Sequence, residues 1–199
     1  MEAKFSISEV AGTSWKFTKS QIWVLAGMFL AYCVVTGILN LITSSSYVLN
    51  LLVQLIIGSL FTLGFIRNMF QTMDGEEPQF SAYGQEARKF LHYLVANILY
   101  SIIVCIGIVL LIIPGIYLAI RLQFFQQYIV SEERCSAIDA LKKSWELTQG
   151  QAMPLFLLAL VQIGLTLLGL ILLVVGLFVA IPLIVMMQCY VFRKLRIES

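Results

Sequence analysis

The sequence predicts an all-α integral membrane protein with six transmembrane helices arranged as three hairpins, each preceded by a short interfacial amphipathic helix. Three observations carry this. Ser20 to Ile66, Phe90 to Ile120 and Leu147 to Phe192 contain no Asp, Glu, Lys or Arg, and every charged side chain lies between or outside them. Apolar residues make up 60% and charged residues 12% of the 199, with a mean hydropathy of +0.91, whereas about a quarter of a soluble domain is charged. A short sequence pattern also recurs ahead of the first and third stretches.

A helix needs about 20 apolar residues to cross a hydrocarbon core roughly 30 Å thick, so the first and third stretches each allow two crossings. The middle one reaches that length if Leu122 to Val130 is added and Arg121 is accepted inside the membrane region. The expected spans are 22 to 42, 48 to 66, 91 to 110, 112 to 130, 153 to 173 and 175 to 192. The first hairpin turns at Thr43, Ser44, Ser45 and Ser46, whose small polar side chains can satisfy nearby backbone groups. The third turns near Gly176. For the middle hairpin the turn falls either at Gly107 or at Pro114 and Gly115, because proline is tolerated both in a turn and in the first turn of a helix. The earlier position is favoured.

The segments between spans are too short and too charged to form a second core, so residues 1–199 read as one transmembrane domain. The first apolar run is longer than a secretory h-region and lacks an A-x-A-like cleavage site, so it reads as a retained span. All thirteen Lys and Arg lie on the side away from the uncharged turns, which the positive-inside rule makes cytoplasmic, with both termini inside. Cys33, Cys105, Cys135 and Cys189 show no C-x-x-C spacing and read as apolar packing residues. A net charge of +2 without a long basic run argues against nucleic acid as a partner.

A shift of 130 residues aligns Ser6, Glu9, Ser14, Trp15, Thr18 and Gln21 with Ser136, Asp139, Ser144, Trp145, Thr148 and Gln151, five of them identical. Phe80, Ser81 and Phe90 form a weaker middle copy. This predicts an internal repeat of three units, each an interfacial helix opened by an S-x-x-[DE] cap and followed by a hairpin. In the third unit Ile138, Leu141 and Trp145 share one helical face and Asp139, Lys142, Lys143 and Glu146 the other. The middle unit sets Phe80, Tyr83, Ala87 and Phe90 against Gln85, Glu86, Arg88 and Lys89.

Arg121 is the leading candidate functional residue, because a charge inside a span costs at least ~2.5 kcal/mol near the centre and needs a partner or a route to water. Two roles fit it: snorkelling to the cytoplasmic headgroups, or burial against a carboxylate, substrate or lipid phosphate. Glu132 and Glu133 lie about three helical turns on, too far to meet it along one straight helix. Asn97, Gln54, Gln123 and Gln162 are amides within spans and are expected to face protein. Pro114 and Pro182 sit in Ile-Pro contexts that suit packed kinks. With one histidine and no acidic residue inside a span, the sequence carries neither an intramembrane proton relay nor a metal or cofactor site. No catalytic motif is present either, so a non-enzyme is expected.

Ile113-Pro-Gly-Ile-Tyr-Leu through Arg121, then Tyr128-Ile-Val-Ser-Glu132, then Ala140-Leu-Lys-Lys-Ser144-Trp145-Glu-Leu-Thr148-Gln-Gly150 form an ordered pattern of about 40 residues. It resembles a large group of poorly characterised bacterial multi-span membrane proteins and is similar to the membrane portion of glycerophosphoryl diester phosphodiesterases. The resemblance implies a bacterial inner membrane protein and marks Pro114, Gly115, Arg121, Glu132, Ser144, Trp145 and Thr148 as motif positions. It implies no hydrolase activity here, because the chain lacks room for that catalytic domain.

The expected function is that of a non-catalytic accessory or scaffold protein. Its partners would be membrane lipids and a membrane protein, and self-association is compatible with the sequence. The alternative is a small transporter or lipid-handling protein with a cavity between hairpins near Arg121.

Overall fold

The computed structural model describes residues 4–172 and 176–197. Among these there is no strand. The chain runs through α1 (Ile7–Ser20), α2 (Ile22–Thr43), α3 (Tyr47–Met73) and α4 (Ser81–Glu86), then a 3₁₀ turn (Ala87–Lys89) that leads directly into α5 (Phe90–Leu110). It continues through α6 (Ile112–Leu122), α7 (Phe125–Ser131), α8 (Ala137–Leu147), α9 (Ala152–Ile171) and α10 (Leu177–Ile197). Five helical stretches are long and apolar enough to cross a membrane: Ile22–Thr43, Tyr47–Met73, Ser81–Leu110, Ala152–Ile171 and Leu177–Ile197.

The expected fourth span, 112 to 130, is not one helix. It is divided at Gln123 and Phe124 into α6 and α7, of 11 and 7 residues, neither long enough to cross alone. The cause is tertiary. Phe124 N–H donates to Ser144 Oγ at 3.0 Å, while the Ser144 and Thr148 hydroxyls donate to the Arg121 carbonyl at 3.1 and 3.0 Å. A helix break leaves backbone groups without partners, and side chains of α8 supply them at this point.

The turns follow local chemistry. Between α2 and α3, Ser46 caps α3 by accepting Leu49 N–H at 3.4 Å, and Asn50 Nδ2 donates to Thr43 Oγ1 at 2.9 Å. Between α5 and α6 the turn is at Leu111, which is extended and lies between the two expected positions. Gly107 and Gly115 face each other across it, so close that a Cβ on Gly107 would lie 2.9 Å from Gly115 Cα. Pro114 occupies the first turn of α6, where its missing N–H costs little. Gly176 immediately precedes α10, and residues 173–175 of the expected third turn lie outside the described residues.

Helix pairs α2·α3, α5·α6 and α9·α10 pack together; α3 also touches α5, α6 touches α9, and α10 touches α2. These contacts form a closed circuit of six elements, which a further contact between α3 and α10 crosses. Of the remaining helices, α4 packs on α3, α8 on α7, α5 and α6, and α1 on α10. Burial is concentrated at the charged end, where Leu63, Met69, Phe124, Ile129, Met186 and Phe192 form the core. The Phe192 ring lies 5.9 Å from Phe70, 6.1 Å from Phe124 and 4.9 Å from Tyr128, joining α3, α7 and α10. At the opposite end Leu41, Tyr47, Val109, Ile113 and Ile171 are exposed. Lipid tails are as apolar as these side chains, so close packing and polar contacts, rather than apolar burial, hold such helices together.

Candidate functional site

Four of the motif residues meet in one place. Ser144 and Thr148 are four apart on α8 and its C-cap, so both point to the face that packs on the α6–α7 break, with Trp145 beside them. Arg121, on the last turn of α6, is only 4% exposed. Its Nη1 donates to the Thr148 carbonyl at 2.8 Å, and its guanidinium carbon lies 4.2 Å from the Trp145 ring centre and 5.7 Å from that of Tyr117. The two rings meet edge-to-face at 5.9 Å. Arg121 therefore does not snorkel. The last carbonyls of a helix lack intrahelical partners and carry partial negative charge, so the cation is balanced by the end of α8 and two aromatic faces instead of a carboxylate. Arg121 Nε has no hydrogen-bond partner.

Glu132 forms a second junction one short helix further on. It accepts from Lys143 Nζ at 2.5 Å and from Arg196 at 3.0 Å, tying the end of α7 to α8 and α10. The hydrogen bond that Lys143 donates to Glu132 is the main cause that raises the pKa of Lys143 above its ordinary 10.5. Further ion pairs cross the same end: Lys194–Glu9 between α10 and α1, Arg193–Asp74 between α10 and the end of α3, and Arg88–Glu133, each at 2.6 Å. Such exposed pairs add little stability and serve chiefly to fix geometry.

The middle unit departs from its expected faces. Glu86 and Lys89, expected on the polar outer side, are buried and paired at 3.0 Å, with Lys89 Nζ donating to the Val130 carbonyl at 2.8 Å. Phe80, expected on the packed side, is exposed. The 3₁₀ turn is the reason: with three residues per turn, positions i and i+3 eclipse, which turns Lys89 under Glu86 and toward α7.

Other expected positions stay apart from the Arg121 cluster. Pro114 and Gly115 lie in the first turn of α6, where Gly115 allows close approach of the backbone to Ile108. Asn97 is half-buried on α5 and, among the described residues, its side chain enters no hydrogen bond with another helix, whereas Gln54 Nε2 reaches the Thr36 carbonyl on α2 at 3.3 Å. Gln162 Oε1 accepts from Gln188 Nε2 at 3.5 Å, while Gln123 bonds within its own helix. In the first copy of the S-W-x-x-T sequence, Ser14 and Thr18 are fully buried but their hydroxyls have no partner among the described residues. The S-x-x-[DE] cap likewise forms at Ser136, which accepts Asp139 N–H at 3.2 Å, and not at Ser6.

Sequence reasoning missed Tyr117 and the buried Glu86–Lys89 pair. Tyr117 was legible as the residue four before Arg121 on one helix face. The pair was not, because helical periodicity carries no sign of a 3₁₀ turn.

Chemically, the cluster can hold a helix break closed and a cation buried. Among the described residues no group of three or more His, Cys, Asp or Glu is placed to hold a metal ion. No curated protein and no solved structure matches the chain. A family described as a domain of unknown function, DUF7847, matches residues 48–195, from the first turn of α3 into the last turn of α10 and including the whole Arg121 cluster, and the chain belongs to that family.

Proposed function

We propose that this chain is a non-catalytic accessory or scaffold protein of the bacterial inner membrane. It crosses six times as three hairpins, with α6 and α7 together forming the fourth crossing, and keeps both termini in the cytoplasm. The packing of α2 on α3, α5 on α6 and α9 on α10 supports the hairpins, and the clustering of Lys and Arg at one end supports the orientation. Each unit of the proposed internal repeat sets its interfacial helix on the second crossing of the preceding unit, α4 on α3, α8 on α7 and α1 on α10.

The observation that carries the scaffold reading is that the motif side chains engage one another. Arg121 is enclosed by Trp145, Tyr117 and the Thr148 carbonyl, and Ser144 and Thr148 bond to backbone at the helix break. A transporter built around Arg121 needs that guanidinium to meet a solute, and its closed surroundings support a structural use instead. Lipids and a membrane protein are the partners this reading supplies.

The test is purification from native membranes with lipids retained, followed by native mass spectrometry and by flux assays on the protein alone in liposomes. A membrane protein held at fixed stoichiometry, with no saturable flux, is the expected outcome. Saturable uptake by the isolated protein overturns the scaffold role.

A further inference from the structure

The junction of α5, α6 and α8 contains an apolar slot of about 480 Å³, within the roughly 300–1,000 Å³ of ligand sites. Leu99 and Ile103 of α5, Leu118 of α6 and Leu141 of α8 form its walls. Its rim on α8 carries Lys142 and Glu146, both exposed and with neither side chain in a hydrogen bond or ion pair among the described residues. This differs from the neighbouring Lys143, which is engaged by Glu132. A positive and a negative group thus stand one helical turn apart, about 6 Å along the axis, over an apolar shaft.

We propose that this slot binds one molecule of a zwitterionic phospholipid with a primary-ammonium headgroup, of the phosphatidylethanolamine type. One acyl chain lies in the slot, against Leu99 and Ile103 of α5, Leu118 of α6 and Leu141 of α8. The phosphate meets Lys142 Nζ and the ammonium meets the Glu146 carboxylate. Charge complementarity selects the occupant. A purely anionic headgroup would satisfy Lys142 and be repelled by Glu146, while a choline headgroup offers Glu146 no N–H donor. The phosphate and ammonium of an ethanolamine headgroup are separated by a two-carbon bridge, so one lipid can reach both rim charges. Trp145 beside them suits the headgroup level.

The site requires α8 to lie at the membrane interface, part of the reading above, but not the scaffold role. Saturable transport would overturn that role and leave lipid retention intact, whereas loss of headgroup preference overturns the site alone.

The experiment is native mass spectrometry of the whole chain in detergent, with equal amounts of phosphatidylethanolamine, phosphatidylcholine and phosphatidylglycerol of identical acyl chains. One phosphatidylethanolamine per chain is expected, retained about tenfold over the other two, the effect of one charge-assisted hydrogen bond. Glu146→Gln should abolish the preference over phosphatidylcholine, and Lys142→Gln should weaken retention of both zwitterionic lipids. Both side chains are exposed, and circular dichroism checks that each variant is folded. Equal retention of the three lipids, a preference for phosphatidylglycerol, a preference unchanged in Glu146→Gln, or a dimer mass with no bound lipid each overturns the proposal.

Discussion

Ser14 and Ser144 occupy the same place in the two copies of S-W-x-x-T, and both are fully buried, yet only the replacement of Ser144 by alanine should destabilise the fold. Ser144 Oγ accepts Phe124 N–H at 3.0 Å and donates to the Arg121 carbonyl at 3.1 Å. Without it, the carbonyl keeps the Thr148 hydroxyl at 3.0 Å, but Phe124 N–H is orphaned at the break between α6 and α7. An unsatisfied buried group costs about 1–3 kcal/mol. Hydrogen bonds between membrane helices average only about 0.6 kcal/mol, because the separated helices find other partners. Phe124 N–H stands at a helix break with no other partner, so the larger figure applies, and Ser144→Ala should destabilise by about 2 kcal/mol. Ser14 Oγ has no partner to lose, so Ser14→Ala should leave stability unchanged or raise it by up to about 1 kcal/mol. The assay is reversible unfolding in mixed micelles titrated with dodecyl sulfate, where 1.4 kcal/mol is tenfold in the equilibrium constant. Equal destabilisation by the two substitutions, or a neutral Ser144→Ala, would refute the account of the helix break.

The buried Lys89–Glu86 pair should show strong non-additivity. Lys89→Met leaves Glu86 buried beside only the 3.9 Å approach of Arg67, so it should cost about 3–5 kcal/mol, while adding Glu86→Gln should recover part of that loss in the same unfolding assay. Gly115→Ala places a Cβ 2.7 Å from Ile108 Cα and should reduce the yield of folded protein, whereas Gly164→Ala meets open space and should not; size-exclusion chromatography reads both. Acidification should loosen the charged end. The hydrogen bond from Lys194 holds Glu9 below its ordinary 4.5, and that from Arg193 holds Asp74 below its ordinary 3.8. Both carboxyl pKa values are depressed in the folded chain, so their contribution is complete above the ordinary values and is lost as pH falls through the lowered ones. Unfolding midpoints measured from pH 6 downward should fall less steeply in a Glu9→Gln, Asp74→Asn variant, and an unchanged slope would count against these pairs.

Much of the helical layout was legible because charge is so costly in hydrocarbon that its absence marks a span and its return marks an end. The turn residues of the first hairpin and the cap at Ser136 were legible for a local reason: each side chain bonds within three residues of itself or across a single turn. Of the motif, Ser144, Trp145 and Thr148 share a helix face by periodicity alone, but nothing in their spacing says that they meet Arg121, which lies more than twenty residues earlier. The likeness of the Ser14 and Ser144 segments was visible, and their difference was not, because partners are set by what packs opposite.

By itself, the sequence determined where the five helices of membrane-spanning length fall and where the first hairpin turns, since these depend on local hydropathy and short-range backbone chemistry. The tertiary structure alone decided that the fourth expected span breaks at Gln123 and Phe124, that Arg121 is enclosed instead of snorkelling, and that Glu86 and Lys89 turn inward. Each of these depends on backbone groups and charges finding partners on another helix. Such pairing arises only from three-dimensional packing, which an apolar sequence with few charged residues leaves almost unmarked.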